Sequence, residues 1–281
     1  MTKIVSNIAD QTIAFIGAGS MAESIIAGLI ADRIVAPSQL IATNRQDEDR
    51  LKWLEQHYGI KTTVNKEEAV AHANLIVLAM KPKDIESAMK AIRSYTSEKQ
   101  LFISVLAGIS TSYITELLGH HAPVIRTMPN TSAKVGESAT AISAGAYATE
   151  REIQLACALF SAIGTVTVVP EEQLDAVTGL AGSGPAYIYY LVEAMEKAAT
   201  EIGLDEEVGK ELVIQTLIGA AKRLSTTSKT AEELYTQVMS PGGTTEAGLQ
   251  VLAENHFQDA IVACIKRATE RSKELGAQTK N

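Results

Sequence analysis

Apolar positions change their spacing along this chain, and the change divides it in two. Up to about residue 169, short apolar runs alternate with segments of helical spacing. The runs Ile13–Ile16, Leu40–Thr43, Lys61–Val64, Leu75–Ala79, Leu101–Val105, Val124–Met128, Thr140–Ser143 and Thr165–Val169 read as strands. Leu75–Ala79 is apolar throughout, as a parallel strand buried on both faces requires. Between the runs, Met21, Ile25 and Leu29 recur at helical spacing beside Ala22, Ile26 and Ile30. Pro37-Ser38-Gln39 ends that pattern, Asp47–His57 reads as a polar helix, and Asn65-Lys66-Glu67-Glu68 as a helix start with acids in its first turn. Alternation of this kind predicts a doubly wound parallel α/β sheet.

Beyond Pro170 the strand pattern stops. Tyr187–Ile202, Glu206–Leu224, Ala231–Met239, Thr245–Ala253 and Phe257–Leu275 all carry helical spacing. The division is therefore residues 1–169 as a Rossmann-type α/β domain and 170–281 as an all-helical domain. Ile188, Leu191, Val192 and Met195 in one helix, and Leu212, Val213, Leu217 and Ile218 in the next, give the helical half much apolar surface. Two readings fit: a self-contained bundle, or a surface that pairs with another subunit.

Composition narrows the class. The chain has 281 residues, with 46% hydrophobic and 21% charged residues, the balance of a water-soluble globular protein. A net charge of −8 argues against nucleic acid or an anionic membrane as partner, while leaving room for one locally basic cleft. No apolar run nears the ~20 residues that span a bilayer, and Met1–Asn7 lacks the apolar core of a signal peptide. Cys157 and Cys264 lie far apart, and His120-His121 reads as a surface loop, so neither a disulfide framework nor a metal site is expected. These features suit a cytoplasmic enzyme.

Candidate chemistry begins where the first strand ends. Gly17-x-Gly19-x-x-Ala22 runs from a strand into a helix, the order of a dinucleotide-binding turn. Gly17 permits the sharp turn, Gly19 lets backbone approach a diphosphate, and Ala22 lets helix and strand pack closely. The diphosphate would rest on the free N–H groups of the helix N-terminus. After the second strand, Thr43-Asn44-Arg45 places no acid where an NAD site puts one. Arg45 suits a 2′-phosphate and so favours NADP, or else neutralises the acidic helix start at Asp47. Ala79-Met80-Lys81-Pro82 puts Lys81 on the rim, as a cofactor contact or a solvated side chain, with Pro82 stopping the strand. Leu106-Ala107-Gly108 leaves room for a flat ring, and Asn130 after the sixth strand offers an amide to nicotinamide or substrate.

Two glycine-rich stretches mark the helical half. Thr178–Ala186 is poor helix material ahead of a strong helix, suited to close backbone packing, with Pro185 fitted to a first helical turn. Ser240-Pro241-Gly242-Gly243-Thr244-Thr245 opens a helix with exposed N–H groups and hydroxyls, which makes a carboxylate site, an N-cap by Thr244 or Thr245, or both.

In order and separation, Gly17-Ala18-Gly19, Ala79-Met80-Lys81-Pro82, Asp175–Ala186 and Val238–Thr245 resemble the pyrroline-5-carboxylate reductases, a likeness running from Ile13 to about Leu275. The resemblance implies reduction of 1-pyrroline-5-carboxylate to L-proline, the last step of proline biosynthesis. It implies that Ser240, Gly243, Thr244 and Thr245 hold the substrate, with the Thr245 hydroxyl at the ring nitrogen. It also implies cofactor contacts at Ala18, Ser20, Met21, Asn44, Arg45, Asn65, Ala79, Lys81 and Ala107. It further implies a homodimer or an assembly of dimers through the helical domain. Asn44-Arg45 stands where some members carry a Ser-rich turn, so NADPH is expected and NADH stays possible. No nucleophile–base or metal-ligand constellation is evident, which fits imine reduction, a reaction governed by orientation. The competing readings are a reductase of another small imine, a β-hydroxy acid dehydrogenase, and a catalytically silent dinucleotide sensor.

Overall fold

The computed structural model describes residues 8–278; the N-terminal segment read above as lacking a signal-peptide core lies outside them. The strands are β1 (Ile13–Ile16), β2 (Leu40–Thr43), β3 (Lys61–Thr63), β4 (Leu75–Leu78), β5 (Leu101–Ser104), β6 (Val124–Met128), β7 (Ser138–Ala144) and β8 (Gly164–Val168). They form one sheet in the order β3-β2-β1-β4-β5-β6-β7-β8. Helices α1 (Ser20–Ala31), α2 (Glu48–Tyr58), α3 (Lys66–Ala71), α4 (Ile85–Ile92), α5 (Thr111–Leu118) and α6 (Glu150–Ser161) lie between them.

Strand residues alternate between two apolar layers. Phe15 and Val77 join Ile25, Leu29, Leu54 and Phe160 in one layer; Ile16 and Ile76 join Val70, Met89, Ile114 and Leu118 in the other. Both faces of the central strands are thus covered, which is why β1, β4 and β5 are buried at every position.

One expectation needs correction: the sheet is not wholly parallel. β7 runs antiparallel to β6, pairing Arg126 with Ser143 and Met128 with Ala141. The connection, residues 129–137, holds only a 3-10 segment at Thr131–Val135. That is shorter than the dozen or more residues that a parallel crossover needs. The longer link through α6 lets β8 return parallel to β7.

By contacts the chain divides into two compact units, one of residues up to Ser183 with those from Arg267 onward, the other Gly184–Lys266. This division does not coincide with the 169/170 boundary drawn from strand content. The first unit includes α7 (Leu174–Val177), which continues as a wider π turn over Thr178–Gly182, so the glycine-rich stretch is helical. A Cβ on Gly182 would stand 2.7 Å from Met128 Cε, the movable end of that side chain, and no backbone atom is among its nearest neighbours. The second unit holds α8 (Gly184–Glu201), α9 (Glu206–Ser225), α10 (Ala231–Val238), α11 (Thr244–Glu254) and the start of α12 (Phe257–Gln278). Within it α8 and α9 pack closely, and a Cβ on Gly209 would stand 2.7 Å from Ala199 Cβ.

Candidate active site

Strand order reverses between β1 and β4, and a ligand crevice forms at the carboxyl ends of strands at such a switch point. Here a cleft of about 570 Å³ is lined by Gly17, Ala18 and Gly19 after β1, Asn44 and Arg45 after β2, and Ala79 and Lys81 after β4. These three turns, far apart in sequence, are brought together as expected from the strand ends.

The turn geometry explains the glycines. Gly17 has φ +110°, and its N–H donates to the Thr43 carbonyl at 3.1 Å. A Cβ there would lie 2.6 Å from the Ala79 carbonyl carbon and oxygen. Gly19 is the opposite case: it has ordinary extended backbone and no heavy atom within 4 Å of where a Cβ would stand. It sits at the N-cap of α1 with no side-chain cap, so the first N–H groups of that helix are left to a ligand. An open space at Gly19, an uncapped helix and a basic rim fit a dinucleotide diphosphate.

Hydrogen bonding after the second strand bears on the two readings of Arg45. The N-terminus of α2 is capped by Asp47, whose carboxylate accepts from the Arg50 N–H at 2.8 Å. Arg45 is exposed and forms no ion pair among the described residues. Its loop is held by Asn44, whose Oδ1 accepts from Gln46 N–H at 3.3 Å and Asp47 N–H at 3.4 Å. Arg45 is therefore free to pair with a phosphate. Lys81 is likewise exposed and unpaired among the described residues, with its carbonyl accepting from Asp84 N–H at 2.9 Å.

The remaining candidates differ. Ser20 and Met21 are the first residues of α1, and the Met21 side chain packs on the apolar layer, leaving only its backbone for a ligand. Asn65 caps α3, accepting from Glu67 and Glu68 N–H at 3.1 and 3.2 Å, and lies outside the cleft lining. Lys66 beside it does line the cleft, as does Lys83. Both were missed, although Lys66 follows β3, whose end forms the same rim. Pro82 opens a 3-10 turn beyond Lys81. Ala107 is exposed after β5. The Asn130 side chain accepts from Ser132 N–H at 3.0 Å and donates to the Ala181 carbonyl at 3.0 Å, so its amide already braces the sheet unit.

In the helical unit, Gly242 has φ +71° and Gly243 N–H donates to the Ser240 carbonyl at 2.9 Å, closing a turn before α11. A Cβ on Gly243 would stand 2.5 Å from Ser240 Oγ, so a larger residue there would displace that hydroxyl. The N-cap is Gly243 with no side-chain cap, which corrects the alternative of capping by Thr244 or Thr245. No hydrogen bond among the described residues engages either threonine hydroxyl. Glu246 instead reaches back, accepting from Gly242 N–H at 2.6 Å.

Elsewhere, burial pushes the His120 imidazole pKa down, and its Nε2 lies 3.0 Å from Thr96 Oγ1; His121 stacks on Tyr147. Among the described residues no cluster of three or more His, Cys, Asp or Glu is placed to hold a metal. Among them, too, no helix is long and apolar enough to cross a membrane.

A doubly wound sheet with a glycine turn at its switch point defines a dinucleotide-binding protein. Residues 12–108 match the family model for NADP oxidoreductase, coenzyme F420-dependent, and residues 171–275 match that for pyrroline-5-carboxylate reductase dimerisation. The chain is 45% identical over 268 residues to pyrroline-5-carboxylate reductase 2 of Bacillus subtilis, spanning 95% of this chain and 96% of that protein. The solved pyrroline-5-carboxylate reductase of Coxiella burnetii superposes with a TM-score of 0.89 at 35% identity, covering 94% of this chain and 98% of that one. That of Plasmodium falciparum, solved with NADP bound, gives 0.86 at 26% identity over 95% and 99% of the two chains. This chain belongs to the pyrroline-5-carboxylate reductase family.

Proposed function

We propose that the chain reduces 1-pyrroline-5-carboxylate to L-proline with NADPH, closing proline biosynthesis. The observation that carries the reading is the pair of helix N-termini, at Gly19 and Gly243, each opened by glycine and left without a side-chain cap. One suits a diphosphate and the other a carboxylate.

When bound, NADPH supplies a hydride to C5 of the substrate's C5=N bond. The π pair of that bond moves to nitrogen, which carries the proton of the protonated imine into the product amine. Gly17, Ala18, Gly19, Ser20 and Met21 hold the diphosphate through backbone, and Arg45, with Asn44, holds the 2′-phosphate. Ala79, Lys81, Pro82 and Ala107 shape the remaining cofactor wall, and Asn65 and Asn130 act through backbone order. Ser240, Gly243 and Thr244 hold the carboxylate, and Thr245, with a free hydroxyl, aligns the ring nitrogen. Fixing carboxylate and nitrogen together orients C5, and orientation of this kind accounts for much of the barrier in a reaction whose electrophile is already cationic.

The same reading assigns residues 1–169 to cofactor binding and 170–281 to substrate binding and dimerisation. Tyr189, Tyr190, Ile202, Leu212 and Val251 are exposed, whereas Gly209, Val213, Ala199 and Leu234 are the helical unit's buried residues. A helical unit with that much bare apolar surface is covered by a second copy. The free cysteines Cys157 and Cys264 suit the reducing cytoplasm.

The test is substrate-dependent NADPH oxidation by the purified protein, with NADH and other cyclic imines alongside. Turnover with pyrroline-5-carboxylate supports the reading; preference for a different imine replaces it.

A further inference from the structure

The glycine turn is not held by the sheet alone. Arg50, on the first turn of α2, donates from Nε to the Ala18 carbonyl at 2.9 Å. Its guanidinium also pairs with Glu23 on α1 and lies over the Trp53 ring, 4.8 Å from the centroid. Glu23 is gripped a second time from the far end of α2, accepting from Tyr58 Oη at 3.3 Å. That carboxylate contributes to the raised Tyr58 pKa, after burial. Arg50 side chain and Glu23 are both largely shielded, at 23% and 29% exposure. α2 itself is fixed by Leu51 and Leu54, buried in the apolar layer.

The bond to Ala18 has a directional consequence. No peptide bond among the described residues is cis. In a planar trans peptide the carbonyl and the N–H point in opposite directions. A carbonyl drawn to Arg50 therefore turns the Gly19 N–H away from α2. That N–H takes no acceptor among the described residues, and Gly19 lines the cleft. Arg carries this out where Lys does not, because a planar fork can reach a carbonyl with Nε while a terminal nitrogen meets a carboxylate.

We propose that Arg50 is a positioning residue for the cofactor: by holding the Ala18 carbonyl it aims the Gly19 N–H at the dinucleotide diphosphate. The inference rests on the cofactor half of the reading above and not on the identity of the substrate.

The test compares wild type with Arg50→Met and Arg50→Lys, reading affinity for NADPH and, by competition, for adenosine 2′-monophosphate, which has no diphosphate. Arg50→Met is expected to weaken NADPH about tenfold, equivalent to about 1.4 kcal/mol. Adenosine 2′-monophosphate is expected to change less than twofold. Arg50→Lys keeps a cation beside Glu23 and serves as the folding control. It is expected to melt within about 2 °C of wild type and still to lose NADPH affinity. Unchanged NADPH affinity in Arg50→Met, or equal losses for both ligands, overturns the proposal. So does full recovery of affinity in Arg50→Lys, which would leave Arg50 a purely structural ion pair. A wild-type protein that binds NADPH but does not turn over pyrroline-5-carboxylate would fail the substrate assignment and leave this one standing.

Discussion

Replacing Gly17 and Gly19 by alanine, one at a time, separates folding from cofactor binding within a single turn. At Gly17 the new methyl meets two obstacles. The φ of +110° is a region that L side chains rarely adopt, at a cost on the order of 1–3 kcal/mol. The Cβ would also lie 2.6 Å from the Ala79 carbonyl and 2.7 Å from Met80 N, well inside contact distance. Overpacking against backbone, which has no rotamer to yield, adds about 1–3 kcal/mol. Together these cost about 2–6 kcal/mol, which lowers the melting temperature by roughly 4–24 °C in a chain of this size. At Gly19, φ −76° and ψ −176° suit alanine, and nothing stands within 4 Å. Its small N-cap cost is offset by reduced freedom of the unfolded chain, leaving the melting point within about 2 °C. That empty space is where backbone and diphosphate must approach. Losing one charge-assisted hydrogen bond costs about 1.5–3 kcal/mol, or roughly ten- to a hundredfold in NADPH affinity. Thermal unfolding and NADPH titration of both variants supply the readout. A Gly19→Ala protein that binds NADPH as wild type does would refute the assignment of the turn, and a Gly17→Ala protein of unchanged stability would refute the steric argument.

Further outcomes follow from other residues. Thr245→Ala should lower turnover at least tenfold with NADPH affinity unchanged; wild-type turnover would remove the hydroxyl from the mechanism. Arg45→Gln should weaken NADPH about tenfold and NADH little, measured as the ratio of their KM values; an unchanged ratio would assign the 2′-phosphate elsewhere. Arg126 is buried with its guanidinium 3.5 Å from Glu171 and 3.9 Å from Asp175, so Arg126→Met should cost about 3 kcal/mol in denaturant unfolding by leaving the two carboxylates without a cation, held by hydrogen bonds from Thr111 and Ser272. Glu152 closes a capping box with Thr149 at the start of α6; against the opposing effect of burial, hydrogen bonds from the Thr149 hydroxyl and N–H hold its carboxyl below the usual range. Because the folded pKa is the lower one, this stabilisation is complete above the unfolded value and fades as pH falls through the folded value. Glu152→Gln should therefore cost about 1 kcal/mol at pH 7 and progressively less below pH 4; a pH-independent difference would assign the effect to packing.

Strand and helix positions were readable from periodicity because the layers impose it. Every residue of β1 and β4 is buried, and α1 presents Ile25, Ile26 and Leu29 to one layer. Strand direction was not readable that way, since an apolar run reads alike in either sense. The antiparallel β7 was encoded instead in the nine residues between it and β6. The helical state of Thr178–Gly182 was hidden because Gly179 and Gly182 are poor helix formers, while Gly182 lies against Met128 across the unit. In the site, residues that follow strand ends were legible, because the topology itself collects them: Gly17, Gly19, Asn44, Arg45, Ala79 and Lys81 all line one cleft. Arg50 was not, because its partners Ala18 and Glu23 lie about thirty residues upstream and a charged position on a polar helix gives no sign of them. Asn130 illustrates the converse, an amide at a strand end whose hydrogen bonds are used in folding.

The most direct measurement follows the hydride itself. Purified protein is given 1-pyrroline-5-carboxylate and NADPH carrying deuterium at both C4 positions, and the product is examined by mass spectrometry and proton NMR. The account predicts L-proline bearing one deuterium at C5, formed in step with NADPH consumed. Proline without that label, or NADPH consumption that does not depend on pyrroline-5-carboxylate, would contradict it.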